Sequence, residues 1–447
     1  MGGEWTKALL GDICQLKAGG AFKKELQGNS HGELPFIKVS DMNLAGNELY
    51  IKNANNWVSK ETAKNIRAPI HPAGSVVFAK IGVALTYNRR RILTRNTLID
   101  NNMMSATPDA KHVDPRFFYY LLVNIDFNKI VEGSALPYLK ASTINSIDVL
   151  IPNISEQRAI AHILGTLDDK IELNRQMNRT LEAMAQALFK SWFIDFDPVV
   201  VNALRADNPI PEKFAQRAAH YRNNPRALSL PEDILRLFPD RFQDSELGPI
   251  PEGWKLSTIG AEFDLTMGQS PPGATYNENG NGMPFFQGRR DFGFRYPSLR
   301  VYCTAPARIA NAGDTLVSVR APVGDINMAY DTCCVGRGVA AVRHKSGSRS
   351  YTYYAMQSLG ERFKRFEAEG TVFGSINKKQ FQGLPSVKVA PDIITLFESL
   401  AYPIDENIRS NEEEMQSLAK LRDTLLPKLI SGELRVPDAE KLLEDAL

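Results

Sequence analysis

Two stretches of the chain carry apolar residues at alternating steps of four and three. One runs Ile160, Leu164, Leu167, Ile171, Asn174, Asn178, Leu181, Ala185, Leu188. The other runs Phe397, Ala401, Ile404, Ile408, Asn411, Met415, Leu418, Arg422, Leu425, Leu429. A mean spacing of about 3.5 residues held over about four heptads predicts two long helices with coiled-coil seams. At a constant offset the seams superpose, Leu167 on Ile404, Asn174 on Asn411, Leu181 on Leu418 and Leu188 on Leu425. An Asn at a seam position costs stability and fixes register. Leu167, Ile171, Asn174, Leu181, Leu188, Ile404, Ile408, Asn411, Leu418 and Leu425 are therefore expected to pair the two helices, each Asn meeting a polar partner near the crossing. The helix starts agree. Asn153-Ile-Ser-Glu156 has capping-box spacing, and Pro391-Asp392 sets a carboxylate among orphan N–H groups.

Outside these stretches the pattern is short. Runs such as Ser75 to Ala79, Asp314 to Val319 and Val339 to Val342 lie between Gly, Pro and Asn turns, the texture of an α+β domain with an antiparallel sheet. These short elements also occur twice. Trp5, Gly11, Gly19 and Pro35-Phe36 return as Trp254, Gly260, Gly268 and Pro284-Phe285. Ala73-Gly74-Ser75 returns as Ala312-Gly313-Asp314, Phe117 to Tyr120 as Tyr351 to Tyr354, and Glu132-Gly133-Ser134 as Glu369-Gly370-Thr371. A diverged repeat of this kind fixes architecture before any local motif does. The expected layout is a globular unit over 1–152, a helix over 153–194, a Pro-punctuated connector without counterpart over 195–250, a second globular unit over 251–389, a second helix over 390–434 and a tail over 435–447. A pseudo-twofold relation between the copies would make the helices antiparallel.

With 447 residues, 43% of them hydrophobic, the chain has material for about three domains of about 150 residues. No window approaches the roughly 18 apolar residues of a membrane span, and the start lacks a signal-peptide pattern, so a cytoplasmic protein with no membrane partner is expected. Cys14, Cys303, Cys333 and Cys334 form no CxxC pair and the six histidines no HExxH, so no metal site is expected and the thiols are read as buried or reduced. A Walker A loop is absent. Gly336-Arg-Gly338-Val-Ala-Ala341 leaves no room for the helix that would receive a pyrophosphate. No catalytic residues and no cofactor are assigned. The only Pro-Pro, Pro271-Pro272, lacks the flanks of an adenine methyltransferase motif, and Asp109-Ala-Lys111 is too little for a nuclease.

Charge is unevenly spread. Residues 4–148 hold 18 Lys+Arg against 13 Asp+Glu, a net +5; residues 254–384 hold 16 against 10, a net +6; the rest of the chain carries −9. Basic units on acidic helices point to nucleic acid, because each neutralised phosphate releases counterions. Polar residues in Gly/Pro/Asn-rich loops beside aromatics are the candidate DNA contacts: Lys38, Ser40, Asp41, Lys80, Asn88, Arg89, Arg90 and Arg91 in the first copy. In the second they are Gln269, Ser270, Tyr276, Gln287, Arg289, Arg290, Arg320 and Arg337. Arg suits guanine and Gln or Asn suits adenine in the major groove, while Lys and Arg on phosphate set position. Tyr119, Tyr120, Tyr353 and Tyr354 are read as core.

The two-copy layout and several strings together resemble the specificity subunit of Type I restriction-modification systems over essentially the whole chain. The strings are Pro35-Phe-Ile-Lys-Val-Ser-Asp41, Gly268-Gln-Ser-Pro-Pro-Gly273, Gly313-Asp-Thr-Leu-Val-Ser-Val-Arg-Ala-Pro-Val-Gly324 and Ile151-Pro-Asn-Ile-Ser-Glu-Gln-Arg158. Lys190 to Asp197, Ser245 to Trp254 and Leu425 to Gly432 complete them. The resemblance implies an α+β protein with two similar target recognition domains, each reading half of a bipartite double-stranded DNA sequence, separated by two long helices in an antiparallel coiled coil. It further implies that the helices dock two methyltransferase (M) subunits, that restriction (R) subunits add to these, and that AdoMet and ATP bind only the partner subunits. The second helix begins without the Glu156-Gln157 of the first. A coiled-coil adaptor with non-specific DNA binding is the alternative reading.

Overall fold

The computed structural model describes residues 5–133, 136–224, 230–368 and 374–444. Ser134 and Glu369 to Thr371 of the repeated Glu-Gly strings lie outside them. The chain divides into two units, Met1–Gln176 with Asn411–Leu447, and Met177–Ser410. The two seams form helices Ile154–Phe193 and Pro391–Ser431, of 40 and 41 residues. Each helix crosses from one unit to the other.

The globular parts repeat one topology. In the first unit a five-stranded sheet runs Cys14–Ala18, Met103–Pro108, Val76–Ala79, Arg91–Leu93, Tyr50–Ile51. In the second, Phe263–Met267, Val339–His344, Thr315–Ser318, Ile326–Met328 follow the same order. A second sheet is built around a parallel pair in each. Phe36 pairs with Leu98 and Ile37 with Ile99; Phe285 pairs with Cys334 and Phe286 with Val335. The wholly antiparallel sheet expected from the turn-rich texture is corrected by these pairs, and by Tyr50–Ile51 running parallel to Arg91–Leu93. Local alternation does not encode the direction of a partner strand.

Within the first unit Ile160, Leu164, Leu167 and Ile171 bury against Leu418, Leu425 and Leu429 and against the aromatic helix Pro115–Asn124. Within the second, Ala185, Phe189 and Trp192 bury against Phe397 and Ala401. The start of one helix therefore packs on the end of the other, which is antiparallel pairing. Leu181, Leu188 and Ile404 are only half-buried, and Ile408 is fully enclosed. The Asn174 amide donates to Glu414 Oε2 at 2.7 Å, and Asn178 donates to the Ile408 carbonyl at 3.4 Å. These seam asparagines thus have polar partners on the other long helix. Asn153 caps the first helix, accepting from the Glu156 N–H at 3.0 Å, and Pro391 opens the second at the position that needs no N–H donor.

Residues 195–250 have more structure than a connector requires. Helix Asp197–Arg205 buries Val199, Val200 and Val201, and the first two join Phe214, Ala218 and Phe238 in the core of the second unit. The stretch also has a partial counterpart. A Pro-initiated helix, Val436–Glu444, follows the second long helix much as Asp197–Arg205 follows the first, and its Ala439 is buried in the first unit. The four cysteines are buried and unpaired, with burial pushing the Cys14 and Cys333 thiols up to about 12.

Candidate nucleic-acid interface

A chain of backbone hydrogen bonds gathers the loops of each unit at one edge. In the second unit the Gly268 N–H donates to Val339 O (2.9 Å), Gln269 to Val335 O (3.0 Å), Gly336 to Phe286 O (2.9 Å) and Gly338 to Gln287 O (3.0 Å). Val319 donates to Gly338 O (2.9 Å) and Ala321 to Gly374 O (2.9 Å). These bonds bring Gln269, Ser270, Gln287, Arg289, Arg290, Arg320 and Arg337 together. All but Ser270 are exposed. Arg289 pairs with Asp325, and Ser270 accepts from the Arg337 N–H at 3.3 Å and its Nε at 3.4 Å. Arg290 and Arg320 carry guanidinium groups with no protein partner among the described residues. Tyr276 is different. Its hydroxyl donates to Pro271 O at 2.7 Å and its ring stacks on Phe285 at 4.7 Å, so it props the loop.

The first unit has the same frame. Gly20 donates to Ile99 O (2.9 Å), Asp100 to Ile37 O (3.0 Å), Lys80 to Asn102 O (2.8 Å) and Gly82 to Pro137 O (2.8 Å). The frame demands glycine at one repeated place. A Cβ on Gly19 would stand 1.9 Å from Asp100 O, and one on Gly268 would stand 2.1 Å from Gly336 O, approaches no side chain tolerates.

Register equates positions across the two copies. The parallel pairs align Lys38 with Gln287 and Asn101 with Arg337, and the isolated bridges Ile81 to Tyr138 and Arg320 to Ser375 align Ile81 with Arg320. The backbone is repeated while the presented side chains differ. Asn101 and Asn102, both exposed, are additions to the sequence candidates. Asn in a turn is ordinarily read as a turn former, which is why pattern alone passes over them.

The other first-unit candidates divide. Lys38 and Lys80 lie on the edge, with Ser40 exposed just beyond Lys38. Asp41 is fully buried: it accepts from the Lys38 N–H at 2.7 Å and from the Asn55 amide at 2.6 Å, so it holds the turn and leaves the candidate set. Arg90 leaves it too, being 2% exposed. It lies over the Phe127 ring at 3.9 Å and donates to Ile125 O at 2.9 Å, and burial lowers its pKa to about 10. Asn88 has a left-handed backbone, and its side chain bonds Arg90 and the Phe127 N–H. Arg91 donates to Arg90 O within a strand. Of the arginine triplet only Arg89, stacked over Tyr87 at 4.6 Å, faces outward.

A second arrangement is also duplicated and was not legible as a motif. Tyr120 donates to Asp168 Oδ2 at 2.7 Å, and at the equivalent place Tyr354 donates to Asp405 Oδ1 at 2.8 Å. Each bond ties a globular helix to a long helix. The cations differ. Asp168 pairs with Arg422 of the other long helix at 2.5 Å, whereas Asp405 pairs at 2.6 Å with Arg295, a fully buried arginine from the globular part of the same unit. The missing Glu156-Gln157 counterpart is resolved similarly. Gln157 Oε1 accepts from the Asp114 N–H at 2.8 Å, while Glu398 accepts from the N–H groups of Arg349, Ser350 and Tyr351 at 2.9–3.2 Å.

Among the described residues no helix is long and apolar enough to cross a membrane, and no three His, Cys, Asp or Glu side chains gather as a metal site. A duplicated α+β frame on an antiparallel helix pair defines the class, and comparison with known proteins specifies it. The family model for the Type I restriction modification DNA specificity domain matches residues 2–183. The type I restriction enzyme HindI specificity subunit of Haemophilus influenzae is 25% identical over 96% of this chain and 100% of its own length. The MjaIX specificity subunit of Methanocaldococcus jannaschii is 22% identical over 97% and 94%. The crystal structure of the S subunit from M. genitalium superposes with a TM-score of 0.52 at 16% identity, over 96% of each chain, a likeness of fold. Residues 2–183 therefore match a Type I restriction modification DNA specificity domain, and over nearly its whole length the chain is similar to specificity subunits of Type I restriction enzymes.

Proposed function

We propose that this chain chooses the DNA sequence on which a Type I restriction-modification complex acts. Each globular unit reads one half of a bipartite duplex target. The two long helices set the spacing of the halves and dock two methyltransferase subunits, to which restriction subunits add. The chain performs no chemistry itself, and AdoMet and ATP belong to its partners.

One observation carries this reading: a repeated backbone edge offers different side chains at matched positions, Lys38 against Gln287, Asn101 against Arg337, Ile81 against Arg320. Two readers with one scaffold and two vocabularies suit two unlike half-sites. An Arg fork favours guanine O6/N7, and Asn or Gln favours adenine N6/N7, each good pair discriminating by about 1–3 kcal/mol. The exposed basic residues of the edge supply the sequence-independent hold on phosphate.

The test is methylome sequencing of a host that lacks the system, expressing this chain with its methyltransferase subunit, beside the methyltransferase alone. Methylation at one bipartite motif, dependent on this chain, is expected. Arg290→Ala or Arg337→Ala is expected to relax one half of that motif and leave the other intact. Methylation indifferent to this chain would move the adaptor reading to first place.

A further inference from the structure

Beside Lys80 the edge of the first unit carries an apolar outcrop that basic residues do not account for. Segments 80–83 and 136–139 form a short ribbon, with Gly82 N–H donating to Pro137 O at 2.8 Å and Leu139 N–H to Lys80 O at 2.9 Å. Leu85 and Leu139 anchor it in the core, 2% and 4% exposed, while Val83 and Leu136 stand out at 70% and 59%. Leu136 lies over Gly82, its Cδ1 3.9 Å from where a Cβ would be. Tyr138, also exposed, is fixed by Glu132: its hydroxyl donates to Oε2 at 3.2 Å, beneath the Lys140–Glu132 ion pair of 2.6 Å. The ribbon is therefore held in place while Val83 and Leu136 stay largely exposed among the described residues.

Leaving two large aliphatic side chains in water forgoes a stabilisation of about 1.5–3 kcal/mol for each, so an occupant for this face has to be sought. Its chemistry follows from the surroundings. Lys80 lies within the ribbon with no protein partner for its ammonium among the described residues, and the backbone bond from Lys80 to Asn102 places the ribbon beside the exposed amides of Asn101 and Asn102. In the second unit the matched ribbon, joined by the Arg320 to Ser375 bridge, carries an arginine where the first has Ile81. An apolar protein surface would leave Lys80 and the asparagines without partners. A major groove satisfies all of them, because thymine alone among the bases offers a methyl group there, next to acceptors and phosphates.

Resting on the DNA-reading role proposed above, we infer that Val83 and Leu136 form an apolar sensor for the 5-methyl group of a thymine in the half-site read by the first unit. The two copies then differ in kind as well as in sequence. The first reads partly by apolar contact and the second by guanidinium and amide hydrogen bonds.

Replacing each thymine of that half-site in turn by deoxyuridine removes only the methyl group, and equilibrium binding of such duplexes to the complex of this chain with its methyltransferase subunits tests the inference. At one thymine the replacement is expected to weaken binding about fourfold, the effect of one buried methyl group. The Val83→Ala/Leu136→Ala variant, altered only at exposed positions, is expected to bind the thymine and deoxyuridine duplexes equally while discriminating the other half-site as before. A half-site indifferent to every methyl group, or a variant that keeps the fourfold difference, overturns the sensor and leaves the reader role standing. A wild-type complex that prefers no duplex sequence overturns both. If the variant instead loses its methyltransferase subunits on gel filtration, the face docks protein and the inference is overturned.

Discussion

Arg295 makes the steepest demand of any single residue. Its guanidinium is fully buried between Asp405 and the rings of Tyr353 and Tyr354, at 4.0 and 5.5 Å from their centroids. Removing one member of such a pair strands a charge in a medium that cannot solvate it. Arg295→Ala is expected to cost about 3–5 kcal/mol, seen as a lowered melting midpoint, with Tyr354→Phe costing about 1–3 kcal/mol by leaving a buried acceptor short of a donor. His71 is one residue-scale source of pH dependence. It is buried with Nδ1 2.7 Å from Ser105 Oγ and Nε2 unpartnered, and burial, followed by repulsion from Lys17, lowers its pKa to about 4. Below its unfolded pKa of about 6.5 the unfolded chain binds the proton and the folded chain does not. Stability is therefore expected to fall as pH drops from about 6.5 to about 4, and His71→Gln is expected to flatten the melting midpoint over that window. At this scale the sequence is least informative. Asp405 and Arg295 are 110 positions apart, so no spacing rule connects them, and Arg89-Arg90-Arg91 looks like one basic patch until the fold turns Arg90 inward.

At the scale of elements the sequence says much more. The heptad seams, the Asn153 cap and the order of the repeated short elements all rest on local periodicity and turn chemistry, and the structure contains them. The packing of 195–250 was hidden because its helices are short and bury aliphatic clusters such as Val199 to Val201 without a sustained period. The edge that gathers the candidate contacts was partly legible: the second-unit strings fall on it, whereas first-unit strings straddle it. Helix pairing bears on the reader model. One extra heptad adds about 10.5 Å to a helix and nearly preserves its faces. Inserting a heptad into both long helices is expected to lengthen the unread gap of the target by about three base pairs, at 3.4 Å each, with both half-sites unchanged in methylome sequencing. An unchanged gap would remove the helices from their role as the ruler.

For the whole molecule the two units are unlike in how the chain makes them. The second is one continuous stretch, Met177–Ser410, while the first needs both ends of the chain, with Leu418, Leu425 and Leu429 filling its core and Arg422 neutralising Asp168. A chain ending at Ser410 is expected to keep a protease-resistant second unit while residues 5–176 are digested, as limited proteolysis followed by mass spectrometry would reveal. On the ribosome the same layout sets a schedule. The part made first waits, with Asp168 and the seam of Ile160, Leu164 and Leu167 uncovered, until the second half of helix Pro391–Ser431 emerges, whereas the part made second is complete once the first half of that helix, with Phe397, Ala401 and Asp405, is out. A transcript cut short just after Ser410 therefore yields a protein with one finished reader.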